Sequence, residues 1–270
     1  MRLIALLGNP VEHSLSPRFQ NAAIRALGFD AEYRAIRCEA SEVPGLIREI
    51  TSAGGGGNVT LPHKEIAAAA VERATEAVQQ TGACNTFWSE SGLIHGDNTD
   101  IPGFTTALAR LLGRSPAGMR VLLIGAGGAA RAVAFALAQE RASDVVVLNR
   151  SLDRARDLAD SFSTPATSFS IHQSADLLRG ETFDLVVNAT SLGLKPGDAS
   201  PLSPDMEIRP KAAFDLVYRP DETEWVRAWR AEGIPAVDGL EMLLQQGAAA
   251  FERWWGVPAP IDAMRAAVAR

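Results

Sequence analysis

The chain has 270 residues, of which 47% are hydrophobic and 21% charged, the balance of a soluble α/β protein with a sizeable core in one large domain or two moderate ones. A formal net charge of −6 argues against a nucleic-acid-binding surface, two cysteines without CxxC spacing against a disulfide framework, and four scattered histidines against a bound metal. The N-terminal apolar run, Leu3–Leu7, is too short for a secretory signal core and no segment is long enough to span a bilayer, so a cytoplasmic protein without membrane contact is expected.

In chain order, Arg2–Leu7 reads as a strand and Pro17–Leu27 as a helix, with Ser16 as its cap and Pro17 in its first turn. Tyr33–Arg37 reads as a strand, Val43–Ser52 as a helix, and Asn58–Thr60 as a short strand after four glycines. A helix over 64–73 follows, then a hairpin with strands near 83–88 and 92–96 joined by Ser89-Glu90-Ser91-Gly92. Alternation of this kind predicts a parallel or mixed sheet covered by helices. A helix over 100–112 leads to the middle of the chain.

Residues 119–131, Met-Arg-Val-Leu-Leu-Ile-Gly-Ala-Gly-Gly-Ala-Ala-Arg, run from an apolar strand through glycines into a helix. A second apolar run, Val145–Leu148, ends at Asn149-Arg150. Strand, glycine turn, helix and strand at this spacing make a dinucleotide-binding βαβ unit. Gly125 allows the tight turn, Gly127 lets the backbone approach a pyrophosphate, and Gly128 and Ala129 let the helix pack close to the strand. The diphosphate would lie at a helix N-terminus, where free N–H groups and the dipole favour an anion. NAD-binding units usually carry an acid at the end of the second strand to hold the ribose hydroxyl. Here the position is Asn149, followed by Arg150 and Arg154, whose guanidinium groups suit a 2′-phosphate. Asp153 is the nearest acid, and helical spacing turns it away from both arginines. NADP is the expected cofactor.

Strands at Leu185–Asn188, Ala213–Val217 and Ile234–Val237 extend the nucleotide sheet, with a helix carrying Trp225 and Trp229 between the last two. Leu240–Trp254 and Ile261–Val268 read as C-terminal helices, and 195–204 as a mobile loop. The fold class expected is α/β: an N-terminal α/β substrate domain with a mixed, mainly parallel sheet, then a Rossmann-type doubly wound NADP-binding domain, with a cleft between. The substrate domain should comprise 1–100 with the helices of 239–270, and the NADP domain 101–238.

A Rossmann-type domain names no reaction, so function must come from the other site. There, polar residues crowd the element boundaries. His13-Ser14-Leu15-Ser16-Pro17 puts two hydroxyls at a helix N-terminus, a place that suits a carboxylate. Asn58-Val59-Thr60-Leu61-Pro62-His63-Lys64 follows a strand and opens a helix with a lysine. Asn85-Thr86 and Asn98-Thr99-Asp100 end in small polar turns, and Asp238-Gly239-Leu240 through Gln246 opens a late helix. Each has an ordinary explanation singly: a helix cap at Ser16 or Asp100, a solvated Lys64, turn asparagines at Asn58 and Asn85, a polar helix face at Gln246. Their joint occurrence is what needs explaining.

Taken in order, these runs resemble the shikimate dehydrogenase family. The resemblance covers nearly the whole chain and rests on Gly8-Asn9-Pro10, Ser14-Leu15-Ser16-Pro17, Asn58-Val59-Thr60 with Pro62 and Lys64, Asn85-Thr86 and Asn98-Thr99-Asp100. It continues through Gly125-Ala126-Gly127-Gly128-Ala129, Asn149-Arg150-Ser151, Asn188-Ala189-Thr190-Ser191, Asp215 with Tyr218, and Asp238-Gly239-Leu240 to Gln246. It implies reversible NADPH-dependent reduction of 3-dehydroshikimate to shikimate, in chorismate and aromatic amino-acid biosynthesis. It implies that Ser14 and Ser16 hold the substrate carboxylate and that Asn58, Thr60, Asn85, Asp100 and Gln246 bind its ring hydroxyls, with Tyr218 lining the same pocket. Lys64 and Asp100 would be the catalytic pair. The implied cofactor contacts are Gly125, Ala126, Gly127, Gly128, Ala129, Asn149, Arg150, Ser151, Arg154 and Thr190, with Leu216 and Gly239 near the nicotinamide. No metal is expected, and a monomer or homodimer is expected, the sequence itself not choosing between them. Gln20 departs from the histidine common before Asn21, a position assigned to helix packing, and Ile101-Pro102 follows Asp100 where glycine is frequent.

Some members of this family accept quinate and prefer NAD; Ser16, Arg150 and Arg154 point instead to the shikimate-selective branch. A nucleotide-dependent methyltransferase would want an acid where Asn149 stands. A non-catalytic NADPH-binding relative would have no need of Lys64 and Asp100 together.

Overall fold

The computed structural model describes residues 1–165, 167–195, 197–202 and 207–269. The loop expected over 195–204 includes residues 196, 203 and 204, which lie outside the described residues. The chain divides into two compact units, Met1–Gly103 with Leu243–Arg270, and Phe104–Met242.

The first unit opens with β1 (Arg2–Gly8), α1 (Ser16–Ala26), β2 (Ala31–Arg37), α2 (Val43–Ser52), β3 (Gly56–Val59) and α3 (Lys64–Ala70). It continues with β4 (Arg73–Ala74), α4 (Glu76–Thr81), β5 (Thr86–Glu90), β6 (Leu93–Asp97) and the start of α5 (Asp100–Leu112). Its six strands lie in the order β2-β1-β3-β5-β6-β4. β1 runs parallel to β2 and β3, whereas the β5–β6 hairpin is antiparallel to β3, giving a mixed sheet. β1 is central and buried from Ile4 to Leu7, which is why it reads as a continuous apolar run rather than an alternating one. Ala5, Leu7, Ile47, Ile50, Val59 and Phe87 form the core beneath α2 and α3.

Three local expectations are corrected here. Ser16 is not the cap of α1: that position is Leu15, no side chain caps it, and the hydroxyl of Ser14 instead accepts the Ser16 N–H at 3.2 Å. The helix expected over 64–73 stops at Ala70. Glu72 N–H then bonds the Ile94 carbonyl and Thr75 N–H the Gly96 carbonyl, so pairing with β6 overrides the helix propensity of the alanine run. The hairpin strands begin later than expected, because the turn is the two-residue Ser91-Gly92, with φ of 54° and 76°. That left-handed pair matches the twist of the flanking strands.

The second unit contains β7 (Arg120–Ile124), α6 (Gly128–Gln139), β8 (Asp144–Leu148), α7 (Leu152–Phe162) and β9 (Ser168–His172). After these come β10 (Thr182–Phe183), β11 (Leu185–Asn188), β12 (Arg209–Pro210), β13 (Ala213–Asp215), α8 (Glu224–Ala231) and β14 (Ala236–Val237). The main sheet is all-parallel in the order β14-β13-β11-β7-β8-β9, so strand order reverses at β7, as in a doubly wound Rossmann sheet. β9 and the small β10–β12 pair were not anticipated. Leu122, Val146, Val186, Trp225, Val226 and Trp229 share one core on a face of this sheet.

The chain ends with α9 (Leu240–Trp255) and α10 (Ile261–Ala267). From Leu243 onward these belong to the first unit, where α10 packs on α1 and Arg18 bonds the Ala267 carbonyl at 2.9 Å.

Candidate functional site

In the first unit, residues from β3, α3, α5 and α9 and from the turns before β5 and α5 meet in one hydrogen-bonded network. Lys64, the first residue of α3, places its Nζ 2.5 Å from Oδ2 of Asp100, the first residue of α5. Both side chains are largely buried, at 14% and 8% exposure. Asn85 donates from Nδ2 to Asp100 Oδ1 at 2.8 Å and, in a longer contact of 3.4 Å, to Gln246 Oε1 on α9. Thr99 fixes the orientation of the Asn85 amide by donating N–H and hydroxyl to its Oδ1, at 2.7 and 3.1 Å. Asn58 in β3 donates to the Asn85 carbonyl at 3.0 Å. The expected polar residues Asn58, Lys64, Asn85, Asp100 and Gln246 are therefore contiguous.

Backbone anchoring makes this arrangement firm. Asn98 Oδ1 accepts the Asp100 N–H and its amide donates to Thr81, so the start of α5 is held from α4. The Lys64 carbonyl accepts Cys84 N–H, and His63, buried just before it, meets the Cys38 carbonyl at 2.9 Å. Ser14, Ser16 and Thr60 stand outside the network among the described residues. They follow the carboxyl ends of the neighbouring parallel strands β1 and β3, where ligands of α/β sheets bind.

Missed by sequence reasoning was Tyr33, buried in β2, whose hydroxyl donates to Asn58 Oδ1 at 2.8 Å. A strand tyrosine reads as core, and nothing in its surroundings along the chain signals otherwise. Gln20 is buried and donates to the Gly247 carbonyl at 2.9 Å, the packing role expected of it.

In the second unit, the expected cofactor residues gather at the carboxyl ends of β7, β8, β11 and β13. Gly125 has φ of 112°, and a Cβ there would lie 3.0 Å from the Ala189 carbonyl oxygen and 3.1 Å from Thr190 Cγ2. A Cβ on Gly127 would meet open space. The N-terminus of α6 has no side-chain cap and no acidic residue in its first turn. Its N–H groups and dipole are thus available to an anion, and the residues present fit a dinucleotide diphosphate. At the end of β8, Asn149 donates to the Ser151 carbonyl, and Ser151 caps α7 by accepting Arg154 N–H. The Arg150 and Arg154 side chains are exposed and neither forms an ion pair among the described residues, while Asp153 pairs with Arg156 at 3.1 Å.

The ends of β11 and β13 are joined by a buried carboxylate. Asp215 accepts from Asn188 Nδ2 at 2.8 Å, Val217 N–H at 3.0 Å and Thr223 hydroxyl at 2.8 Å. Burial pushes this carboxyl up to about 6, against those three donors. It also ends β13 two residues before the expected Val217. Asn188 Oδ1 holds Thr190 through its N–H and hydroxyl, at 3.0 and 2.7 Å. A Cβ on Gly239 would fall 2.2 Å from the Leu216 carbonyl oxygen, so these two expected cofactor residues touch. Tyr218 follows three residues after β13 and is half-buried.

Among the described residues no group of His, Cys, Asp or Glu could hold a metal ion, and no helix is long and apolar enough to cross a membrane.

Comparison with known proteins identifies the family and fold. Family models described as "Shikimate dehydrogenase substrate binding domain", "Shikimate / quinate 5-dehydrogenase" and "Shikimate 5'-dehydrogenase C-terminal domain" match residues 6–87, 107–215 and 239–269. A relative from Methanothrix thermoacetophila, named shikimate dehydrogenase (NADP(+)), is 42% identical over 99% of this chain and 97% of its own. The crystal structure of shikimate dehydrogenase from Aquifex aeolicus superposes with a TM-score of 0.90 at 33% identity, covering 100% of this chain and 98% of that one. The shikimate 5-dehydrogenase of Thermus thermophilus, solved with NADP(H) and shikimate, gives 0.86 at 38% identity over 99% and 98%.

Proposed function

The chain belongs to the shikimate dehydrogenase family, and from that premise we propose that it catalyses the reversible NADPH-dependent reduction of 3-dehydroshikimate to shikimate. The observation that carries the reading is the buried Lys64–Asp100 pair, held among three amide side chains in a unit separate from the dinucleotide loop. An ion pair so placed is poor evidence for a stabilising role, since desolvating both charges offsets their attraction. It suits a reaction that leaves negative charge on an oxygen.

When bound, the dinucleotide would supply a hydride for the ketone carbon. In that step Lys64 faces the ketone oxygen, where an ammonium stabilises the developing charge and delivers the proton from Nζ. Asp100 orients the ammonium. Asn58, Thr60, Asn85 and Gln246 take the ring hydroxyls, Ser14 and Ser16 the carboxylate, and Tyr218 lines the substrate pocket. On the cofactor side, Gly125, Ala126, Gly127, Gly128 and Ala129 admit the diphosphate. Asn149, Arg150, Ser151 and Arg154 take the adenosine ribose and its phosphate, Thr190 contacts the cofactor, and Leu216 and Gly239 lie near the nicotinamide. In this reading residues 1–100 with 239–270 serve mainly the substrate and 101–238 mainly the cofactor, Tyr218 and Gly239 being the exceptions. The relatives' shared name supports a biosynthetic oxidoreductase; a cytoplasmic location and a monomeric or homodimeric working form are part of the same proposal.

The test is nicotinamide absorbance with shikimate or quinate against NADP⁺ or NAD⁺. Reduction of NADP⁺ with shikimate, and little with the other three pairs, is expected. Comparable rates with quinate or NAD⁺ would move the chain to the broader-specificity branch, and a folded, NADPH-binding protein silent in all four would refute the reading.

A further inference from the structure

Asn58 can be turned only one way. Its Nδ2 lies 3.0 Å from the Asn85 carbonyl oxygen, a group that accepts and cannot donate. The nitrogen must face that carbonyl, so Oδ1 faces Tyr33 and the tyrosine hydroxyl donates to it at 2.8 Å. With one Nδ2 hydrogen on Asn85 and the oxygen on Tyr33, the side chain has a single N–H left to offer.

Tyr33 is itself held on every side. Asn21 of α1 accepts its N–H at 2.9 Å and donates to its carbonyl at 2.8 Å, covering the free edge of β2. Its ring lies 5.9 Å from that of Trp254, whose indole N–H bonds Thr86 Oγ1 at 3.0 Å. Tyr33, Ile4 and Gly56 form one register row across β2, β1 and β3, and Asn58 lies two residues along on the same face. Tyr33 is 2% exposed. A hydroxyl so placed has no solvent to satisfy it and a fixed partner.

We propose that Tyr33 is a positioning residue for the substrate: its hydroxyl locks the Asn58 amide so that an N–H, and not the amide oxygen, meets a substrate oxygen. This rests on the reading of Asn58 as a substrate ligand. It makes Asn58 a donor of fixed direction, selecting a lone pair at that point of the ring.

The experiment is steady-state kinetics of Tyr33→Phe, Asn58→Ala and the double variant, each checked for folding by circular dichroism. Tyr33→Phe is expected to raise KM for shikimate about 5–50-fold, the loss associated with leaving a buried acceptor unpaired. Both kcat and KM for NADP⁺ should stay within about twofold, a split that a general packing defect would not produce. In the Asn58→Ala background the same change should add less than about twofold, because the amide it acts through is gone. An unchanged KM in Tyr33→Phe beside a raised one in Asn58→Ala overturns the positioning role alone, and so does an equal Tyr33→Phe effect in both backgrounds. Wild-type KM in Asn58→Ala overturns the ligand reading and the proposal with it. Should Tyr33→Phe not fold, Asn58→Asp decides: it keeps the acceptor for Tyr33 but has no N–H, so KM must rise as in Asn58→Ala, and a wild-type value overturns the proposal.

Discussion

Lys64 reaches Asp100 from the first turn of α3, and Asp100 takes a second bond from Asn85, so each carboxylate oxygen has one donor. Removing the lysine leaves that carboxylate buried without its cation and, on the proposed mechanism, the substrate ketone without its proton donor. Lys64→Ala should lower kcat about 10²–10⁴-fold, the general acid–base range, with NADP⁺ affinity unchanged. Near-normal turnover would remove Lys64 from the chemistry. Asp215 offers a test by titration. Its carboxyl is raised to about 6 from 3.8 by burial, so the folded state holds this proton more tightly than the unfolded chain. The stability it contributes is therefore fully present below about pH 4 and is lost as pH rises through about 6, a swing on the order of 3 kcal/mol at 1.4 kcal/mol per unit. Urea unfolding of wild type and Asp215→Asn across pH 4–7 should give a difference curve sloping in that sense. A flat difference would mean that the carboxyl titrates normally.

Among the elements, the end of β8 and the start of α7 carry Arg150 and Arg154, exposed and without an ion pair among the described residues. Arg150 follows the strand and Arg154 lies in the first turn of the helix, while Asp153 is taken up by Arg156. Arg150→Ala with Arg154→Ala should raise KM for NADP⁺ about 10–100-fold, the loss of charge-assisted bonds to a phosphate, and change KM for NAD⁺ little. Equal losses for both cofactors would place these arginines away from the 2′-phosphate. The same region shows a local preference surviving folding: Ser151, a residue type suited to helix N-termini, caps α7. At α3 the signal failed. The alanine run has every local reason to continue as helix, and the hydrogen bonds that stop it come from β6, more than twenty residues later in the chain.

At the scale of the molecule, the two units carry different polar equipment: an amide and ion-pair network in Met1–Gly103 with Leu243–Arg270, and an uncapped glycine loop in Phe104–Met242. Ligand binding should therefore protect them separately. Hydrogen exchange with NADP⁺ alone is expected to slow amides of 125–131, 149–154 and 188–190, and with shikimate alone those of 14–16, 58–64 and 85–100. Saturation with NADP⁺ at about 100 times Kd adds roughly 2.7 kcal/mol and should raise Tm by several degrees. Protection of the first unit by NADP⁺ alone would contradict the division of roles.

The dinucleotide loop, the absence of an acid after β8, and most helices and strands were legible because each depends on neighbours in the chain: a glycine at a turn, a cap before a helix, an apolar run in a central strand. The individual polar residues from Ser14 to Gln246 were legible too, though singly each had an ordinary explanation. What tertiary structure decided is which of them meet. Asn85 and Gln246 stand 161 positions apart and touch, whereas Thr60, two residues from Asn58, stands outside the network. Asp215 as the tie between β11 and β13, and Tyr33 as the partner of Asn58, carry no local signal, because a hydrogen bond across a sheet is specified by register and not by sequence proximity.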